Sequence, residues 1–236
     1  MCCFFVGSCD CEVPKQYRAE KWGCEKKKGV IIPDTDAQTK RVKLESVVAK
    51  LKNESDAHGD MIFLHMMESY RKLPQKLKLM YNWTLDNLSV KWILKVDDDM
   101  FVWVGKLDRY LRNTYKNSEM TILGTIARDW RVHRKGKWAE TLYERPRYPK
   151  FAIGQSGHLV TRDVARRIVE YNGTDHQGED VSIGIWIKEM EAQNKSLKFN
   201  LINSPVMTAE GDCSIKGGYY VIGHKMGYSN FVKCLN

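Results

Sequence analysis

At 236 residues, 43% of them hydrophobic and 11% aromatic, the chain is long enough to bury a proper core, which excludes a disordered segment. Lys and Arg number 38 against 29 Asp and Glu, a formal charge of +9. That excess favours an anionic partner (nucleic acid, an anionic membrane surface or a phosphorylated small molecule) without choosing among them.

The seven cysteines crowd the two ends: Cys2, Cys3, Cys9, Cys11 and Cys24, then Cys213 and Cys234. No CxxC…CxxC pair occurs, which argues against a zinc ribbon. A Cys213–Cys234 bridge closing the C-terminal segment is the candidate disulfide. Sequons at Asn53, Asn82, Asn87, Asn172 and Asn194 lean together toward a secretory chain. The apolar start, Cys2 to Val6, is far shorter than the roughly 20 residues of a spanning helix. It also lacks the regions of a signal peptide, so the chain reads as soluble or as a fragment without its N-terminal anchor.

Residues 1–40 read as an irregular, Cys-rich segment, and residues 41–236 as the main domain. Val42 to Leu51 has amphipathic helical spacing, Met61 to Leu64 suits a strand, and Leu73 to Leu88 is helical with Pro74 in its first turn. Lys91 to Val96 is a strand running into three aspartates. Phe101 to Val104 is a strand, Leu107 to Tyr115 a helix, and Met120 to Ala127 a strand. Phe151 to Ile153 and His158 to Val160 are further strands. Thr161 is placed as the N-cap of a helix over Arg162 to Tyr171. A helix follows from Glu179 to about Met190, then a strand from Leu197 to Ile202. This alternation predicts an α/β domain on a mainly parallel sheet flanked by helices.

Asp97-Asp98-Asp99 directly follows an apolar strand. In an extended backbone residues two apart share a face, so Asp97 and Asp99 are expected to converge while Asp98 points away. Carboxylates crowded at a strand's C-terminal end need a cation or another partner between them, and that edge is where α/β proteins bind ligands. A hard divalent ion such as Mn²⁺ or Mg²⁺ suits such oxygen donors and would neutralise a departing diphosphate.

Gly178-Glu179-Asp180-Val181 opens a helix. The positive field of the helix N-terminus is expected to keep a carboxylate there ionised and its pKa low, as a general base toward an acceptor hydroxyl requires.

The segment Lys95-Val96-Asp97-Asp98-Asp99-Met100-Phe101-Val102 resembles the KVDDDVFV signature of the β-1,3-glycosyltransferases, carbohydrate-active family 31. Other pieces fall in the family's order. Arg18 to Gly23 is similar to its R-x-T-W-G motif, Gly59-Asp60-Met61-Ile62 to its GDI strand, and Glu68-Ser69-Tyr70 to its D-S-Y. Lys137-Trp138 resembles its KW, Tyr148 to Gly157 its YPPYAxGxGY, and Glu179-Asp180-Val181-Ser182-Ile183-Gly184 its EDVxxG. Gly29 to Pro33 stands where the family's first apolar strand is expected, and His158 where it has a Tyr.

The resemblance implies a GT-A fold with a Rossmann-like nucleotide-binding half, a Mn²⁺ (or Mg²⁺) cofactor, a UDP-sugar donor and inversion at the anomeric carbon. Asp97, Asp98 and Asp99 would bind the donor, with Asp97 and Asp99 on the metal. Asp180 would be the base, and Glu179 would help hold a glycan acceptor on a glycoprotein or glycolipid. Tyr219 to Met226 resembles a late histidine segment of some members, which makes His224 a further candidate ligand. Members are lumenal Golgi enzymes held by an N-terminal membrane anchor.

Trp92 and Trp186 read as packing residues. Trp130 and Trp138 lie in a basic, polar loop, so they and Gly157 are candidate substrate contacts. Arg131, Arg134 and Lys135 are candidates for a diphosphate or anionic acceptor. An inactive glycan-binding relative or chaperone is the alternative within the family. A nucleic-acid enzyme is disfavoured, because the charge gathers on no single element and no RNP, HTH or zinc-finger pattern occurs.

Overall fold

The computed structural model describes residues 2–208, 214, 215, 218, 219, 221–224 and 232. The chain divides into two compact units, Met1–Met80 and Tyr81–Asn236.

In the first unit, strand β1 (Phe4–Asp10) pairs in parallel with β2 (Met61–Glu68), from Phe4↔Met61 to Asp10↔Glu68, with one irregularity between Gly7 and Cys9. Parallel neighbours need a crossover, supplied here by helix α1 (Asp34–His58). Pro33 precedes its first turn, Asp34 and Asp36 sit in that turn, and Gly59 ends it in the left-handed region at φ 64°. The helix is longer than Val42 to Leu51, and the amphipathic reading does not hold. None of its residues is buried, and Val42, Val47 and Val48 are exposed.

The opening segment is also less irregular than its composition implies. Phe4-Phe5-Val6 is too short to span a membrane yet suits a strand, and β1 starts there. Gly29 to Pro33 forms no strand, because Ile31 is left in solvent and the chain turns at Pro33 into α1. A disulfide joins Cys11 to Cys24, while Cys2 and Cys3 are free thiols. Cys213 and Cys234, the bridge expected from sequence, lie outside the described residues.

Helix α2 (Leu73–Asn87) contains the boundary between the units. The second unit is organised on a four-stranded sheet in the order β3-β8-β5-β9, made of β3 (Trp92–Lys95), β5 (Thr121–Gly124), β8 (His158–Thr161) and β9 (Asn200–Asn203). The sheet is mixed, not mainly parallel. β8 runs antiparallel to both β3 and β5, and only β5–β9 is parallel. The cause lies in the connections. β4 (Met100–Val102) and helix α3 (Val104–Thr114) carry the chain from β3 to β5 with a one-strand gap between them. β8 fills that gap. It follows closely on the short antiparallel pair β6 (Ile126–Ala127) and β7 (Phe151–Ala152), whose own connection is the long segment 128–150. β5 and β8 are buried along their whole length, as central strands should be.

Helix α3 packs Leu107 and Leu111 against Leu123, Leu159, Met207 and Ile222. Helix α4 (Arg162–Glu170) buries Val164, Ala165 and Ile168. Thr161 precedes it as expected, but its hydroxyl does not cap the helix. It binds Asp163 and accepts from Thr121 N at 3.0 Å. A hairpin of β10 (Ser214–Ile215) and β11 (Gly218–Tyr219) leads to β12 (Ile222–His224), which pairs antiparallel with β4.

Helix α5 (Glu179–Gln193) is the most enclosed helix among the described residues, with Trp186 fully buried and its Nε1 donating to Thr174 O at 2.7 Å. Gly184 explains the glycine of the EDVSIG segment. A Cβ there would stand 2.7 Å from Lys150 O and 2.7 Å from Phe151 Cβ, so α5 lies on β7 at a distance only glycine allows. Gly184→Ala is expected to lower stability by about 1–3 kcal/mol through this overpacking, read as a reduced urea midpoint.

Candidate active site

β3 ends at Lys95, and the aspartates follow in a turn closed by Met100 N donating to Asp97 O at 3.3 Å. All three are exposed. The pleat argument for Asp97 and Asp99 therefore does not apply, because the triplet is not extended. The three carboxylates follow one another along the turn.

Lys95 links the turn to helix α5. Its Nζ lies 2.6 Å from Asp97 Oδ1 and 2.8 Å from Glu179 Oε1. The side chains of Lys95 and Glu179 are each 11% exposed, against 47% for Asp97. One buried ammonium thus serves an inner and an outer carboxylate. Burial alone would lower its pKa, but Glu179 and Asp97 outweigh burial and hold it above the ordinary lysine value.

Gly178, at φ 91°, turns the chain into α5, a conformation glycine adopts without strain. Asp180, in the first turn, accepts from Gly154 N at 2.9 Å through Oδ2 and from Val181 N at 2.7 Å through Oδ1. Its carboxyl is pushed up to about 6, first by burial and then by the charge of Glu179. The two N–H donors and Lys95 oppose the rise without cancelling it. The helix field expected to lower this pKa is therefore outweighed, since desolvation of a carboxylate beside a like charge is the larger effect.

Two consequences of opposite sign follow. The native Asp180 keeps its proton to about pH 6, against 3.8 as the ordinary value, so its stabilisation is greatest below the lower value and declines as pH rises through the upper one. A base must be ionised, so if Asp180 is the base, kcat/KM should climb with pH through about 6, and a pH–rate profile checks this limb.

The three-residue turn Gly154–Ser156 packs closely on the two acids, since a Cβ on Gly154 would lie 3.2 Å from Glu179 Oε1 and 3.3 Å from Asp180 Oδ2. Gly157, at φ 67°, lets β8 begin tight against the end of β3. A Cβ there would be 2.9 Å from Lys95 O. His158 beneath is fully buried, its Nε2 lying 2.9 Å from Tyr81 Oη. Burial and the charge of Lys95 push His158 down to about 3, so it is a neutral imidazole.

The segment from Arg128 to Pro149 forms a loop with an apolar inner side. Val132 and Tyr148 cluster with Phe151, Val181 and Ile185. Trp130 and Trp138 are 45% and 59% exposed. Arg134 is a staple and not an anion ligand. Its guanidinium donates to the carbonyls of Glu140, Tyr143, Glu144 and Arg145. Trp186 packs in the core as read, and half-buried Trp92 meets Tyr115 edge-on. His224 pairs through its backbone with Met100, next to the triplet, but its side chain lies outside the described residues.

Among the described residues, no group of three His, Cys, Asp or Glu side chains is arranged to hold a metal ion by itself. In donor type, the exposed carboxylate oxygens of Asp97, Asp98 and Asp99 are those a hard cation takes, with water and phosphate oxygens as its further ligands. The sequence missed Lys95 as the link, Gly154 as the partner of Asp180, and the Tyr81–His158 pair. Lys95 lies inside the KVDDD segment, Gly154 inside the Tyr148–Gly157 segment and His158 directly after it, but nothing in those segments marked the pairings.

The galactosyltransferase family profile matches residues 38–198. Similar curated proteins include UDP-GalNAc:beta-1,3-N-acetylgalactosaminyltransferase 2 from Xenopus tropicalis, 36% identical over 146 residues, which are 61% of this chain and 30% of that protein. The protein of the same name from Danio rerio is 33% identical over 171 residues, 68% of this chain and 35% of its own length. Hydroxyproline O-galactosyltransferase GALT2 from Arabidopsis thaliana is 27% identical over 162 residues, 66% and 23% of the two chains. The chain spans about a third or less of the length of these relatives. Both the Asp97–Asp99 turn and the Glu179–Asp180 helix start fall inside the matched residues, and the chain belongs to the galactosyltransferase family, the β-1,3-glycosyltransferases of carbohydrate-active family 31.

Proposed function

We propose that this chain carries the catalytic part of an inverting UDP-sugar hexosyltransferase that forms a β-1,3 linkage to a glycan acceptor. The observation that carries the reading is the Lys95 bridge. It ties the exposed aspartate turn to Glu179, beside a buried carboxyl, Asp180, whose pKa is raised toward neutrality.

Asp97 and Asp99 are the residues that would hold a hard divalent ion, Mn²⁺ or Mg²⁺, with Asp98 in the same turn on the donor side. When bound, the ion supplies charge neutralisation for the diphosphate. Asp180 takes the proton of the acceptor hydroxyl at a carboxylate oxygen. The acceptor oxygen forms its bond to the anomeric carbon from the face opposite UDP while the bond to the diphosphate breaks, which inverts the centre. Gly154 N and Val181 N orient the carboxylate, each using one lone pair of its oxygens and leaving others for the incoming hydroxyl. Glu179 is held by Lys95 and steadies the acceptor. The mixed α/β sheet with a site at the C-terminal end of β3 agrees with a GT-A arrangement.

The names of the similar proteins favour UDP-N-acetylgalactosamine or UDP-galactose as donor. A lumenal Golgi setting belongs to the same reading. No helix among the described residues is long and apolar enough to cross a membrane. The test is UDP release from a panel of UDP-sugars with Mn²⁺ and p-nitrophenyl glycoside acceptors. Acceptor-dependent release supports the enzyme, and sugar binding with no release supports an inactive glycan-binding relative.

A further inference from the structure

Glu140 is 1% exposed, yet the transfer chemistry above does not use it. Its Oε1 accepts from Leu142 N at 2.5 Å and Tyr143 N at 3.0 Å. Its Oε2 accepts from Gln177 N at 2.6 Å and lies 3.4 Å from His176 Nδ1. Burial would raise this carboxyl, but the contacts from His176 and the three N–H groups outweigh it and hold it down at about 2. A buried carboxylate with this many donors is fixed in orientation, and so are the segments it joins.

Those segments are the Trp130–Trp138 loop and the residue just before Gly178, where the chain turns into α5 with Glu179 and Asp180. The contact is reinforced on the apolar side. Val132 and Tyr148 pack with Val181 and Ile185, the first turns of α5. Tyr143 stacks on Tyr148 at 5.7 Å and meets the edge of His176 at 5.5 Å. Arg134 makes the loop rigid within itself by gathering four carbonyls. On the same loop Trp130 and Trp138 keep about half of their surface in solvent, although Trp130 meets Phe151 edge-on and Lys137 lies over the ring of Trp138. Indole faces suit the C–H surface of a sugar ring.

We propose that Glu140 is a positioning residue for the transfer: it pins the Trp130–Trp138 loop to the start of helix α5, so that the acceptor sugar is held beside Asp180. This role rests on the transferase reading above. Glu140 acts through the loop and touches no reacting atom. Its loss should weaken acceptor use and leave donor use alone.

The test compares wild type, Glu140→Gln and the double variant Trp130→Ala/Trp138→Ala. UDP-N-acetylgalactosamine or UDP-galactose, whichever the wild type turns over, serves as donor with a p-nitrophenyl glycoside as acceptor. Glu140→Gln keeps the shape but sets an amide against three N–H donors. The acceptor KM should rise by about tenfold, the factor expected from losing one hydrogen bond to a charged group, with the donor KM unchanged. Amide exchange at Leu142, Tyr143 and Gln177 should quicken in the same variant. The surface tryptophan variant should show the same split between acceptor and donor, and it decides the matter should Glu140→Gln fail to fold. With an active wild type, an unchanged acceptor KM overturns the role, and so does a donor KM that rises in parallel. A wild type inactive with every UDP-sugar overturns the transferase reading, and this role with it.

Discussion

Asp180→Asn should bind the UDP-sugar donor as the wild type does and transfer it about 10²–10⁴-fold more slowly, the usual loss when a general base is removed. The substitution is nearly isosteric, but Asp180 accepts two N–H groups, from Gly154 and Val181. Asn offers one carbonyl oxygen, so one N–H is left facing an amide NH₂, at a cost of about 1–3 kcal/mol. A thermal melt and a donor titration therefore accompany the kinetics. Intact donor affinity with lost kcat assigns the base, whereas lost affinity would mean a distorted site. The variant should also lose the rise of kcat/KM through about pH 6, because the group responsible for that limb is gone.

Asp99→Ala should abolish Mn²⁺-dependent UDP-sugar binding while leaving the fold in place. Asp99 is exposed in the turn between β3 and β4, so its side chain supports no core. Asp97 differs in holding Lys95, and through it Glu179. Asp97→Ala should therefore disturb Glu179 as well as the donor half of the site. A donor titration with and without Mn²⁺ reads the difference, and unchanged affinity of Asp99→Ala with Mn²⁺ present would count against the turn as the cation's holder.

The segments most legible in the sequence were those whose local pattern and tertiary place agree. The strand into Asp97 and the helices opening at Arg162 and Glu179 carry their own signals of apolar run and spacing. The mixed sheet was not legible, because the antiparallel insertion of β8 between β3 and β5 is a property of long-range pairing. Helix α1 misled for a different reason. Leu44, Val47, Val48 and Leu51 follow helical spacing, yet no residue of the helix is buried.

In the site, the three aspartates and the Glu-Asp pair stood out by composition and place. What joins them did not. Lys95 lies 84 residues from Glu179, and Gly154 lies 26 from Asp180, so neither pairing leaves a local mark. The sign of the Asp180 shift was missed because a helix N-terminus is visible in sequence and desolvation is not.

The most direct test of the central claim is a proton NMR spectrum of the product formed from an α-linked UDP-sugar, Mn²⁺ and a p-nitrophenyl glycoside acceptor. A carboxylate base at Asp180 facing an aspartate-held donor predicts a new β anomeric doublet from the wild type and none above background from Asp180→Asn. An α anomeric product, or a β product formed equally well by Asp180→Asn, would contradict it.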